Sequence, residues 1–361
     1  MSHINELTKT LSQHFSFNKS RIECFSLLIL SLIKVRTVNL SELAQGFEGK
    51  AKLKSKYRRI QRFFDNLDLE ISTVSSYLLK LFNLLNSNIF IAMDRTNWKF
   101  GKKNINILLI SAVCGSYAIP IYWILLNKKG CSKYSERKEI VDILLKIIGS
   151  STITGILADR EFIGNKWIKY LSERKLPFFI RLRKNLIIEA YNSQFRLDRL
   201  FPCKDEVMGV KIIRNAKLSG IGVTITAAVN NKKELLIIAS NTDTDKAVEI
   251  YLRRWKIETL FGFFKTKGFN FESTHITDMK KISKMIVLIA VTYSWSIKIG
   301  EWKDNIEPIK IKNNGRKEIS IFRYGLDCIR EIILNTKAKI KKKILTFVKF
   351  LTPNNKYVWS H

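Results

Sequence analysis

The chain has 361 residues, with 63 Lys and Arg against 31 Asp and Glu and a formal charge of +32 at pH 7. At ~100–200 residues per domain this length allows two or three domains and excludes a small disulfide scaffold, while the charge selects a polyanion, nucleic acid or an anionic membrane, over neutral metabolites. Hydrophobic residues make up 46% and Pro and Gly number only 5 and 16, so the charge coats a folded protein rather than a disordered tail.

Residues 1–15 are polar and charged where a signal peptide needs an apolar core, and a cytoplasmic protein is expected. Residues 1–85 read as helical. They carry an apolar run over 22–33, the N-cap candidates Asn39 and Ser41, and then seven cations with no acid between Lys50 and Arg62. Gly46 and Gly49 before that run give a loose likeness to a helix-turn-helix. We read 1–85 as a helical DNA-binding domain in which Lys54, Lys56, Arg58, Arg59 and Arg62 meet DNA. A solvated basic helix is the alternative.

An apolar run over 88–94 ends in Asp94 and opens a different regime. Residues 105–126 carry no charge and are long enough, at ~20 residues, to span a bilayer. Asn106, Cys114-Gly115-Ser116 and Pro120 divide the stretch into two strand-length runs, which predicts a buried β-hairpin and no membrane span. A charged amphipathic helix over 135–148, a second apolar run ending in Asp159, a helix near 164–174 and a strand at 177–182 follow. This alternation predicts a mixed-sheet α/β core.

Residues 184–240 hold short β-branched runs at 210–213, 222–229 and 235–239 and read as a β-rich insertion. A long helix over 245–267, a second over 279–299 and a Lys-rich helical C-terminal region over 301–361 complete the chain, the apolar stretch 285–297 suiting a core helix. The basic run 337–343 suits contact with DNA, contact with a second subunit, or solvation. His275 reads as structural. The five Cys form no CxxC pair and only four His are present, so reduced thiols are expected and a Zn site is not.

Two features carry chemistry. Asp94 and Asp159 each end a short apolar strand; alone, either is an ordinary turn former or cap. Together at strand ends of an α/β sheet they would repel unless a cation lies between them, and a hard ion such as Mg²⁺ suits carboxylate oxygens. On the helix 245–267, Tyr251, Arg254, Glu258 and Lys265 fall within a wedge of about 60°. Such a stripe is either a solvated face with an Arg254–Glu258 salt bridge worth ~0.5 kcal/mol, or a phosphodiester site with one metal-binding acid and phosphate-gripping donors.

Asp94, Asp159 and Glu258, with Tyr-x2-Arg-x3-Glu-x6-Lys at 251, 254, 258 and 265, resemble the DDE transposases of bacterial insertion sequences, in the group named for that Y-R-E-K pattern. The resemblance spans roughly 88–300. It implies a ribonuclease-H-like core, residues 86–183 and 241–300, interrupted by the insertion 184–240. It implies Asp94, Asp159 and Glu258 as catalytic ligands of two Mg²⁺ ions, for which Mn²⁺ substitutes, and Tyr251, Arg254 and Lys265 as DNA-phosphate contacts. The expected function is binding of terminal inverted repeats with metal-dependent DNA cleavage and strand transfer. The expected partners are the element ends, target DNA and a second copy in a synaptic homodimer. A catalytically inactive, end-binding inhibitor is the alternative. The group also stacks an insertion aromatic, commonly Trp, on a flipped base. This chain has no Trp between Trp167 and Trp255, leaving Tyr191, Phe195 and Phe201 for that place.

Overall fold

The computed structural model describes residues 2–201, 209–229, 234–335 and 338–353, without the side chains of 2, 3 and 338–342. Two compact units are present: Met1–Leu84 with Trp98–Ile105 and Leu260–His361, and Leu85–Asn97 with Asn106–Thr259.

The first unit begins with α1 (Ser2–Ser12), α2 (Lys19–Val35), α3 (Leu40–Gly46), α4 (Leu53–Asn66) and α5 (Ile71–Leu81). Asn18 caps α2 by accepting from the Arg21 N–H, and Asn39 caps α3 by accepting from the Ser41 N–H, as an Asn side chain does at orphan helix donors. Residues 24–33 of α2 are all buried; a helix apolar on every side needs cover on every side. That cover comes partly from the C-terminal helices of the same unit, so residues 1–85 do not form a separate body.

The second unit contains β1 (Ile89–Phe100), β2 (Lys103–Cys114), β3 (Tyr117–Leu125), α6 (Tyr134–Ile148), β4 (Ile153–Ala158), α7 (Asn165–Glu173) and β5 (Phe178–Arg181). There follow β6 (Ile187–Ala190), β7 (Ser193–Arg196), α8 (Leu197–Leu200), β8 (Lys211–Leu218), β9 (Ile221–Val229), β10 (Leu235–Ser240) and α9 (Ala247–Leu252). The tip of the β1–β2 hairpin, Trp98–Ile105, belongs to the first unit. The uncharged stretch 105–126 folds as the β2–β3 hairpin, turning at Gly115 with φ +48°, a conformation that costs glycine little.

Among the described residues the strand order is β3-β2-β1-β4-β5-β10-β9-β8-β6-β7, in one sheet of ten. β1, β4 and β5 run parallel, and β10 joins β5 antiparallel. This mixed α/β sheet is consistent with a ribonuclease-H-like core. The strands of the expected insertion continue the core sheet through β10, whose six residues include five buried ones and so need a neighbour on each edge and face.

The chain continues through α10 (Trp255–Phe264), α11 (Met279–Ile306), α12 (Ile321–Leu334) and α13 (Ala338–Val348). Only α11 is long and apolar enough among the described helices to cross a membrane, and 89% of its most apolar window is buried inside the protein. It serves as the core helix of the first unit. Gly325 of α12 lets it press on α11, since a Cβ there would lie 1.8 Å from the Ser296 carbonyl oxygen. The Tyr77 hydroxyl donates to the Leu351 carbonyl at 2.7 Å and the Lys284 ammonium to that of Phe64 at 2.7 Å, tying the N-terminal helices to this core.

Two sequence expectations are corrected. β1 runs on past Asp94, so this residue lies inside the strand; what stops there is the parallel pairing, whose last rung joins Met93 to Ala158. The predicted helix 245–267 is two helices, α9 and α10, broken at Arg253-Arg254. The basic run 337–343 lies largely outside the residues whose side chains are described.

Candidate active site

β4 is buried at Ile153 and again from residue 155 to 158, and both edges are paired, as the apolar sequence of a central parallel strand requires. Because Met93 and Ala158 are the last paired residues, Asp94 on β1 and Asp159 just past the end of β4 follow that rung on neighbouring chain segments. One Asp94 oxygen accepts from the Arg95 N–H at 2.7 Å.

α9 lies on this sheet through a cluster of Leu157, Phe179, Leu236, Ile238, Ala247 and Tyr251. Tyr251 is 1% exposed, and its hydroxyl donates to Asp159 Oδ1 at 3.3 Å. Burial, with the Asp159 carboxylate nearby, pushes the phenol up to about 12 despite the opposing Arg254 charge.

The chain breaks after α9, and Arg253 and Arg254 part company. Arg253 stays exposed, bonding Glu249 at 3.0 Å and covering the Phe90 ring at 5.2 Å. Arg254 turns inward. Its guanidinium donates from NH1 to Asp94 Oδ2 at 3.0 Å, from NH2 to Glu258 Oε1 at 2.5 Å and from Nε to the Tyr251 hydroxyl at 3.1 Å. Burial opposes the charge, but Tyr251, Asp94 and Glu258 together hold the guanidinium above its ordinary value. Asp94 remains under-compensated: burial pushes it up to about 6 even with Arg254 and the Arg95 N–H favouring the anion. One network thus joins all three expected acids, Asp94 and Glu258 through Arg254, and Asp159 through Tyr251.

With this geometry in place the family follows. A profile described as "Transposase DDE domain" matches residues 87–295, more than half of the chain. The chain belongs to the DDE-domain transposases. No curated protein matches it.

Transposases of this family generally use divalent metal ions, and the fit can be judged from the donors. Carboxylates are the hard-oxygen ligands that Mg²⁺ takes, and Asp94, a buried carboxyl pushed up to about 6, is short of positive charge. The donors fit in kind. Among the described residues, however, no three His, Cys, Asp or Glu gather closely enough to hold an ion, and the Arg254 guanidinium pairs with both Asp94 and Glu258.

The other expected DNA contacts of this transposase-family chain lie in the first unit. There the Lys265 ammonium pairs with Glu272 at 2.7 Å and lies 5.9 Å from the Trp98 ring centre. On α4, Lys56 donates to the Phe47 carbonyl at 2.8 Å, Arg59 lies 3.3 Å from Glu23, and Arg62 reaches the Arg58 carbonyl at 3.5 Å. Lys54 and Arg58 are exposed. Phe201 is buried, whereas Tyr191 is 73% exposed on the β6–β7 turn and lies against Phe195. His275 stacks on Phe100, its rings 5.1 Å apart.

Sequence reasoning passed over several residues. A cavity of about 770 Å³ in the second unit is lined by Arg160, Arg181, Arg183, Lys184 and Arg196, with Asp198 and Glu234 among them. Arg95, Glu161 and the buried Arg137 form a second polar cluster beside the two aspartates. Arg95 directly follows Asp94 and Glu161 lies two residues beyond Asp159, whereas the signal for Arg137 is its charge inside an amphipathic helix.

Proposed function

We propose that this chain is a transposase that binds the terminal inverted repeats of an insertion sequence and catalyses metal-dependent cleavage and strand transfer of their phosphodiesters. The observation that carries the reading is the network of Asp94, Asp159 and Glu258 through Arg254 and Tyr251 where the β1–β4 pairing ends. A merely solvated helix face does not bury its arginine against an aspartate 160 residues away in sequence.

In this reading Asp94, Asp159 and Glu258 would hold the divalent ions. Bound Mg²⁺, or Mn²⁺ in its place, would activate the attacking hydroxyl and neutralise the charge on the leaving oxygen. The remaining work belongs to the chain. Arg254 has to release Asp94 for a cation to approach it, and its planar fork then suits two oxygens of one phosphate. Tyr251, with its phenol pushed up to about 12, stays protonated, its hydroxyl donating to Asp159 while it accepts from Arg254 Nε. Lys265 would exchange Glu272 for phosphate. Lys54, Lys56, Arg58, Arg59 and Arg62 supply sequence-independent attraction to the duplex. Two copies of the chain would hold two ends in a synaptic homodimer and present them to target DNA.

Incubating the full chain with labelled duplex bearing the element's own ends, in Mg²⁺, Mn²⁺ or EDTA, tests the reading. Cleavage should need the metal and vanish in Asp94→Asn, Asp159→Asn and Glu258→Gln, with end binding kept within a few fold because the substituted groups are not the main contacts. Cleavage in EDTA would refute it. Binding without cleavage by the unaltered chain would favour the inhibitor instead.

A further inference from the structure

Asp159 begins a loop, and nothing in its own hydrogen bonds to Tyr251 and the Phe162 N–H explains how that loop is kept in register with β1. Two residues on, Glu161 is held from two sides. Its carboxylate takes a two-pronged contact from Arg95, Nε to Oε1 at 3.2 Å and NH2 to Oε2 at 3.1 Å. Arg95 is the neighbour of Asp94 on β1, and its NH1 also reaches Asn106 Oδ1 at 3.0 Å. Asn106, 1% exposed, donates in turn to the Lys128 and Gly130 carbonyls, both at 3.0 Å.

The other side is Arg137 of α6, 6% exposed. Its guanidinium donates to the Glu161 carbonyl at 2.8 Å, the Ile163 carbonyl at 3.4 Å and the Ser132 carbonyl and hydroxyl at 2.8 Å each, and lies 5.1 Å from the Phe162 ring centre. These bonds go to backbone oxygens and a hydroxyl, so Arg137 fixes the course of the chain rather than balancing a charge. A guanidinium fork does this well because its donors are planar and pre-set.

We propose that Glu161 is a positioning residue: strapped to β1 by Arg95 and to α6 by Arg137, it fixes the separation of Asp159 from Asp94 and so tunes the affinity of that pair for a divalent cation. The proposal rests on the transposase reading above. Residues that orient ligands from behind typically change metal affinity by about 10- to 100-fold when altered.

The test is Mn²⁺ binding to the full chain without DNA, followed by the paramagnetic signal of free Mn²⁺ well below the melting temperature, with Asp159→Asn as the control that loses a ligand. Glu161→Gln keeps the carbonyl strap and loses the charge, and Arg95→Gln keeps the backbone donor to Asp94. Each should bind Mn²⁺ about 10- to 100-fold more weakly, and the double variant no more weakly than the worse single, because one contact is removed in all three. Arg137→Lys keeps the charge without the fork and should fall in the same range. A lower melting temperature in EDTA with unaltered Mn²⁺ affinity would make the cluster a plain strut and overturn the proposal, as would additive losses. If the unaltered chain binds no Mn²⁺ either alone or with inorganic phosphate present to draw Arg254 off Asp94, the transposase reading itself falls and this proposal with it; if all forms bind equally, only this proposal falls.

Discussion

Replacing Arg254 by Gln asks the most of the site's electrostatics. The guanidinium is 4% exposed against side-chain exposures of 17% for Asp94 and 52% for Glu258, so its two ionic arms differ in worth. The half-exposed Glu258 arm is an i,i+4 pair worth ~0.5 kcal/mol or less. The Asp94 arm is the buried one, and removing one partner of such a pair costs ~3–5 kcal/mol because the other charge stays buried alone. At ~2–4 °C per kcal/mol for a unit of 150–250 residues, the metal-free variant should melt roughly 6–20 °C below wild type at neutral pH. Acid should close the gap. Burial raises the folded carboxyl of Asp94 from an ordinary 3.8 to about 6, so the folded state takes up a proton that the unfolded state does not, and the penalty for the anion, full above pH 6, fades towards pH 4. Without Arg254 that penalty is larger, and protonation relieves more of it. Melting curves in EDTA at pH 7.5 and 5 decide the matter, with Asp94→Asn/Arg254→Gln as the double variant that removes both charges and should recover much of the loss. A shift under about 2 °C at pH 7.5 would mean that Arg254 makes only the exposed pair with Glu258 and that the central guanidinium contributes nothing to holding the acids.

Two further outcomes test regions away from that network. Lys54→Ala and Arg58→Ala remove exposed α4 cations and should each lower the slope of log affinity against log salt by roughly 0.9 on duplex DNA, whatever its sequence; an unaltered slope would return α4 to the solvated-helix reading. His14, its ring 5.0 Å from that of Tyr77, is held below its ordinary value by burial and by Lys80. The folded state therefore binds fewer protons than the unfolded, and stability contributed by neutral His14 is lost as pH falls below about 6.5. His14→Phe should flatten that part of the stability–pH curve, and an unchanged curve would refute the assignment.

Much of the core was readable because its signals are local. The interruptions at Gly115 and Pro120 divide an otherwise membrane-like stretch, and the chain turns at that glycine to form the β2–β3 hairpin. The Asp-terminated run before residue 159 is β4, and the alternation of apolar runs with amphipathic segments over 88–182 holds the three parallel strands β1, β4 and β5 beside the antiparallel β2–β3 hairpin. What stayed hidden is set by partners distant in sequence. Periodicity shows that β10 is a strand, yet not that it pairs with β5 and carries the later strands into the same sheet. The apolar circumference of α2 shows that it is buried, yet not that α11 and α12, some 250 residues on, help to bury it.

The acids show the same limit at finer scale. A helical projection places Tyr251, Arg254 and Glu258 on one stripe whether or not anything faces it, and so frames the choice as a surface salt bridge or a phosphate grip. The folded chain makes that choice a false one, because the fork has donors enough for both partners: NH2 keeps the local pair with Glu258 while NH1 crosses to Asp94. What permits the crossing is the break between α9 and α10, which sends Arg253 outward and Arg254 inward at adjacent positions. A largely buried carboxylate close to a second acid needs a cation, and for Asp94 the chain supplies its own. A divalent ion at Asp94 must therefore compete with a guanidinium already in place, and the phosphate that would draw Arg254 away makes the same carboxylate available. Cation binding and DNA binding at this site should on that account favour each other, since each removes a contact that opposes the other.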